Sequence, residues 1–225
     1  MQSILNYHFK LLRDNDDSDI IKVLESPIID NTRMLIEQKA PGEFEGVFVF
    51  LEIIKERVYD FDKEIFIDTT MQKSTTVDFC INISNEILEV WGSRKGAQRV
   101  IGALSQLFQN QIVVEQYEIS FEKMIEYLKD CNIVSVGKVK AKEIIIENGL
   151  IADCTFDLSF VETPFKILDK YKHSIDRIRF DLETNNVKVG LTLYRSGLIS
   201  VHKNKELISD EIMVVIHNII NASRR

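Results

Sequence analysis

Two stretches of the chain present the same order of parts, and that order limits the folds open to it. In Arg177–Ile220, Val187, Val189, Leu191 and Leu193 alternate with Lys188, Gly190, Thr192 and Tyr194. A period of two is the mark of a half-buried strand. Arg195-Ser196-Gly197 supplies a turn, since glycine readily adopts the positive φ of a tight hairpin. Ile199 and Val201 then alternate with Ser200 and His202. Ser209 is placed to cap a helix, with Asp210 and Glu211 against its N-terminal dipole. Ile212, Val215, Ile216 and Ile219 recur behind it at helical spacing.

The earlier stretch, Glu64–Phe108, repeats the plan. Val77, Phe79, Ile81 and Ile83 alternate with Asp78, Cys80, Asn82 and Ser84; Ser84-Asn85-Glu86 makes a turn; Leu88 and Val90 return. Ser93 is a candidate N-cap for a helix whose buried stripe is Ala97, Val100, Ile101, Leu104, Leu107 and Phe108. The copies share order and spacing rather than residue identity, and together they predict an internal duplication.

The rest of the chain extends the pattern. Ser3–Arg13 reads as a strand with Tyr7, Phe9 and Leu11 on one side. Asp14–Asp19 is an acidic turn, and Asp17 or Ser18 can cap a short helix that Pro27 ends. Pro41-Gly42 is a turn. Val47–Ile54 is a central strand, and Val58–Phe61 and Ile65–Thr70 continue a meander. Gln111–Ile119 crosses between halves, and Phe121, Met124, Ile125 and Leu128 define a helix. Ile133–Ile146 is a strand with Lys138, Lys140 and Lys142 facing one way. Asn148-Gly149 marks a hairpin, and Cys154–Phe160 is the next strand. Thr163-Pro164 opens a helix with Phe165, Leu168 and Tyr171 on one face.

The expected fold is therefore α+β: two pseudo-symmetric halves forming an antiparallel curved sheet with helices on one face. The first half is 1–110, a connecting strand and helix is 111–136, and the second half is 137–225, without a linker rich in Pro, Gly or Ser. One compact body with a soft boundary is expected.

A chain of 225 residues with 45% hydrophobic and 28% charged content can bury a core. No apolar run approaches the roughly 20 residues that span a bilayer, and Met1–Asp19 lacks the basic-then-apolar order of a signal peptide. The expectation is a cytoplasmic protein with no membrane contact. Cys80, Cys131 and Cys154 are widely spaced and odd in number, which fits reduced thiols better than a disulfide framework or a zinc site.

Thr75-Thr76-Val77 through Ser84-Asn85, then Leu88–Gly92 and the helix from Ser93, and in the second half Val187 through Ser196-Gly197, Leu198–His202 and the helix near Ser209, resemble one half of the TATA-binding-protein fold. In that fold two such halves form a curved sheet with helices on its convex back, and paired phenylalanines on the sheet kink DNA. No matching phenylalanine pairs stand on the expected sheet face here, so the resemblance implies binding rather than TATA-type bending.

Charge is unevenly placed. The net charge is −7, which disfavours nucleic-acid binding by the whole surface. Residues 1–110 carry 12 basic and 18 acidic side chains, whereas Lys170–Lys205 carries 8 basic and 3 acidic. If the apolar strand positions face the helices, the second-half sheet offers Arg177, Arg179, Lys188, Thr192, Tyr194, Ser200 and His202 to a ligand. That set suits phosphates and a stacked base. The first-half face would carry Asp78, Asn82, Ser84 and Glu89, with Trp91 in the core or at its rim.

Chemistry is less legible. His8, His173, His202 and His217 show no metal-ligand pair at helical spacing. No nucleophile motif is present, and no cofactor is expected. Ser93-Arg94-Lys95-Gly96 lacks the loop of a nucleotide-triphosphate site and reads as a capped turn. The expected function is a non-enzymatic binding subunit of a multi-component assembly, docking a protein partner through its sheet face or helices. The alternatives are a nucleic-acid-binding protein using the basic second-half face, for which bacterial defence against foreign DNA would be one setting, and an uncharacterised enzyme. The partner and the oligomeric state are not written in the sequence.

Overall fold

A computed structural model describes residues 2–13, 16–26, 32–131, 134–147, 149–184, 187–203 and 207–224. Asp14, Pro27, Ile133 and Asn148, assigned above to turns or element ends, lie outside these residues. The elements in chain order are β1 (Gln2–Leu11), α1 (Asp17–Leu24), β2 (Thr32–Ala40), β3 (Glu43–Asp60), β4 (Ile65–Asn82), β5 (Ile87–Trp91), α2 (Arg94–Leu107), β6 (Ile112–Gln116), α3 (Phe121–Lys129), β7 (Val134–Ile145), β8 (Ile151–Asp157), α4 (Pro164–Tyr171), β9 (Ile175–Thr184), β10 (Val187–Tyr194), β11 (Leu198–Val201) and α5 (Asp210–Ala222). The architecture is α+β, and the registered strand pairs are antiparallel.

Contacts divide the chain into two compact units, Phe9–Val114 and Met1–His8 with Glu115–Arg225. In the smaller unit the strands lie in chain order, β2-β3-β4-β5. Phe44, Phe48, Phe79, Ile81, Leu88 and Val90 are buried with Ala97, Val100 and Leu104 of α2. Gly46 allows this packing, because a Cβ there would overlap the Phe79 ring. Asp16 caps α1, in place of the expected Asp17 or Ser18: its carboxylate accepts from the Asp19 N–H at 2.8 Å and from the Ser18 hydroxyl at 2.7 Å. β2 has only Met34 buried, so pairing with β3 rather than an apolar stripe sets it.

The meander expected after Val47 takes a different form. Instead of several short strands, β3 and β4 are 18 residues each and pair without interruption from Glu43↔Asn82 to Asp60↔Ile65. Lys55-Glu56-Arg57 breaks the apolar run without breaking the strand, because its partners Thr70, Thr69 and Asp68 continue the ladder. β-branched residues at Val58, Ile67, Thr69 and Thr70 favour extended backbone, and no Gly or Pro lies in the run to turn it.

In the larger unit the order is β1-β11-β10-β9-β7-β8. The strand Cys154–Phe160 expected from sequence is shifted to Ile151–Asp157. β8 lies at the border, α4 follows it, and the chain returns with β9 beside β7 rather than beside β8. Ile178, Phe180, Leu182, Val189, Leu191 and Leu193 are fully or almost fully buried; α5 packs against β9 and α4 against β7. All four expected apolar positions of α3 are buried. Ser209 caps α5 as expected, its Oγ accepting from the Ile212 N–H at 3.4 Å. No helix among the described residues is long and apolar enough to cross a membrane.

Candidate interaction surfaces

The residues singled out on the second-half sheet fall into register. Arg177 stands opposite Tyr194, Arg179 opposite Thr192, and Thr192 opposite Ser200. The Arg177 guanidinium lies 5.8 Å from the centre of the Tyr194 ring. Thr192 Oγ1 and His202 Nε2 are 3.2 Å apart. Burial, then the positive charge of Arg179, lowers the His202 pKa from its ordinary value, so the neutral imidazole is favoured there.

Two features limit this face. Ser200 is 4% exposed and offers little surface to a macromolecule. The lysines are matched by carboxylates: Lys188 with Asp181 at 3.0 Å, Lys142 with Asp176 at 2.7 Å, and Lys140 with Asp153 and Lys138 with Asp157 at 3.8 Å. Lys138, Lys140 and Lys142 stand on β7, which has a strand partner on each side. Arg177 and Arg179 take part in none of the ion pairs among the described residues.

The first-half face differs from the expectation of an exposed acidic surface. Glu89 and Trp91 are 4% and 5% exposed, and the indole Nε1–H donates to Glu89 Oε1 at 2.6 Å. A buried carboxylate needs such a donor. Asp78 and Asn82 are half-buried. Ser93 Oγ caps α2 by accepting from the Gly96 N–H at 3.1 Å.

The histidines take separate partners. His173 Nδ1 meets Glu122 Oε1 at 2.7 Å, and His8 stacks on Tyr117 with ring centres 4.7 Å apart. Among the described residues no group of three His, Cys, Asp or Glu side chains is arranged to hold a metal ion.

The surface that sequence reasoning missed is the outer part of the β3–β4 ribbon. Among the described residues β2 accompanies β3 as far as Phe50, opposite Thr32, and β5 accompanies β4 from Asp78, opposite Trp91. Between Leu51 and Ser74 no side chain is buried. Both faces nevertheless carry large apolar groups: Leu51, Ile53, Tyr59 and Phe66 on one strand parity, Val58 and Ile65 on the other. At the end of the ribbon Tyr59 lies edge-on to Phe61 and to Phe66, at 5.1 and 5.0 Å, and Phe61 is 85% exposed. The Arg57 guanidinium lies 5.1 Å from the Phe66 ring centre.

The base of the ribbon is tied to α2. Glu52 Oε1 lies 3.0 Å from Lys95 Nζ and 3.3 Å from Arg99, and the Arg99 guanidinium covers the Phe50 ring at 4.2 Å. Lys95, from the Ser93–Gly96 turn, is thus engaged by a carboxylate. A signal for the ribbon was present in the sequence: strand-forming residues on both sides of Asp60–Glu64, with no other turn between Gly42 and Ile83. No protein-family model matches the chain, and no curated protein sequence matches it.

Proposed function

We propose that the chain is a non-enzymatic binding protein that docks a protein partner through the β3–β4 ribbon. The carrying observation is that the ribbon beyond Phe50 and Thr75 exposes apolar side chains on both faces without a buried position of its own. A two-stranded ribbon is at best marginally stable alone in water, and large apolar groups grouped on a surface mark an interaction site. Burying them against a second protein would remove apolar area from water at about 25 cal/mol per Å². Replacing residues 53–72 by an Asn-Gly turn shortens the ribbon to its anchored base. A tagged chain shortened in this way, folded by circular dichroism, should lose the partner that the intact chain retains in its native cells. Retention of the same partner would overturn the reading.

A second reading concerns an anionic partner at Arg177 and Arg179, favoured by neither having a carboxylate partner among the described residues. The paired lysines around them argue against a long phosphate track. Arg177→Glu with Arg179→Glu should leave the melting temperature within the small range of exposed-surface changes. If nucleic acid is the ligand, wild-type binding to short DNA and RNA should fall steeply with salt and vanish in the variant. No binding at low salt removes nucleic acid as the ligand of this face.

A further inference from the structure

We propose that the ribbon's end is an aromatic plug for an apolar pocket rimmed by lysine or arginine side chains on the partner protein; this rests on the reading of the ribbon as the docking element. The plug is Phe61, supported from the side by Tyr59, which also braces Phe66. Aromatic side chains seated in a dry pocket dominate most interfaces, and Phe61 is already presented to solvent, 85% exposed.

The turn that carries Phe61 is organised in advance. Asp60 Oδ1 accepts from the backbone N–H groups of Asp62 and Lys63, at 3.0 and 3.2 Å, and Asp60 Oδ2 lies 3.4 Å from Lys63 Nζ. Glu64 closes the turn with φ of 53°. A loop ordered before binding loses less entropy on docking.

The same bonds decide the charge that the plug presents. Asp60 and Lys63 satisfy each other inside the turn. Asp62 and Glu64, on either side of Lys63, belong to none of the ion pairs among the described residues. The apolar end is therefore bordered by two unmatched carboxylates against the single guanidinium of Arg57 at the Phe66 ring, a net negative charge. Such a border repels a phosphate backbone and an anionic lipid surface and is complementary to a basic rim, which would steer the encounter and fix its orientation. The chemistry selects a protein pocket that is apolar within and cationic at its edge.

The test uses the full chain with Tyr59→p-benzoylphenylalanine, expressed in its native cells and irradiated there, so that the benzophenone is the probe beside Phe61. The expected result is one protein adduct at a saturable level. Its yield should fall at least tenfold with Phe61→Ser and, separately, at least tenfold with Asp62→Lys plus Glu64→Lys, and mapping should place the attachment beside Lys or Arg. Both variants change exposed turn positions, and circular dichroism should confirm that they fold. An adduct lost with Phe61→Ser but indifferent to charge reversal overturns the basic rim and leaves the docking reading standing. An adduct at twice the mass of the chain overturns the inference in favour of a second copy, and an adduct only with lipid, or none, overturns it outright. The docking reading itself fails separately, if the chain with the shortened ribbon keeps its partner.

Discussion

Glu52 and Lys95 meet at 3.0 Å, Oε1 to Nζ, and so join the last anchored turn of the β3–β4 ribbon to the first turn of α2. Arg99 reaches the same oxygen at 3.3 Å while lying over Phe50. One carboxylate thus holds two helix cations at the point where β3 leaves its neighbour β2.

This carboxylate should govern how firmly the ribbon is held. The hydrogen bond from Lys95 lowers the Glu52 pKa below the ordinary 4.5. A depressed carboxylate pKa contributes stability that is fully present above the ordinary value and is lost as pH falls through the lowered one. Glu52→Gln should raise amide hydrogen exchange across residues 51–74 at neutral pH. The difference from wild type should shrink as the pH is taken below 4.5, because protonation makes the wild type resemble the variant.

Tyr117 tests the core of the larger unit. It is fully buried, and its hydroxyl donates to the Ile220 carbonyl at 2.7 Å. Burial pushes its pKa up to about 12. Ionisation is therefore disfavoured in the folded state, and the stability from this group is lost only as pH rises towards that value. Tyr117→Phe should cost about 1 kcal/mol in denaturant unfolding, at the low end because Ser223 Oγ also donates to Ile220 O at 2.9 Å. Ultraviolet titration should show one tyrosine ionising near pH 12 in the wild type and lost in the variant.

Gly197 lies against the same tyrosine. Its φ is +74°, and a Cβ there would lie 2.5 Å from the Tyr117 carbonyl oxygen. The Asn6 side-chain amide donates to the Gly197 carbonyl at 2.9 Å, so the turn cannot move away without breaking a buried bond. Gly197→Ala should destabilise the protein by about 3 kcal/mol, combining a strained backbone with the overlap. The same change at Gly149, where φ is +81° with open space around the Cβ, should cost about 1 kcal/mol.

Local chemistry made several elements legible. Ser93 and Ser209 are caps because a serine hydroxyl before an apolar helical stripe has backbone N–H groups to satisfy. The alternation in Val189–Leu193 recorded which strand positions are buried, as did the stripe Phe121, Met124, Ile125 and Leu128. Each of these signals lies within a few residues of its cause.

The candidate site was less legible because its properties depend on residues distant in sequence. Arg177, Arg179, Lys188 and Tyr194 could be placed on one face by parity. That Asp181 would neutralise Lys188, or Asp176 neutralise Lys142, required the pairing of β9 with its neighbours. Trp91 and Glu89 have the alternation of exposed positions, yet they are buried and bonded to each other.

By itself the sequence determined the α+β class, the caps of α2 and α5 and the inward face of β10 and of the inner half of β4, because periodicity and capping are local. Tertiary structure alone decided that β3 and β4 run on as a ribbon past the ends of β2 and β5, that β9 returns to β7 rather than β8, and which charges remain unmatched. Strand order and register depend on which distant edges meet and on the core they jointly close, and neither is encoded in the period of any single strand.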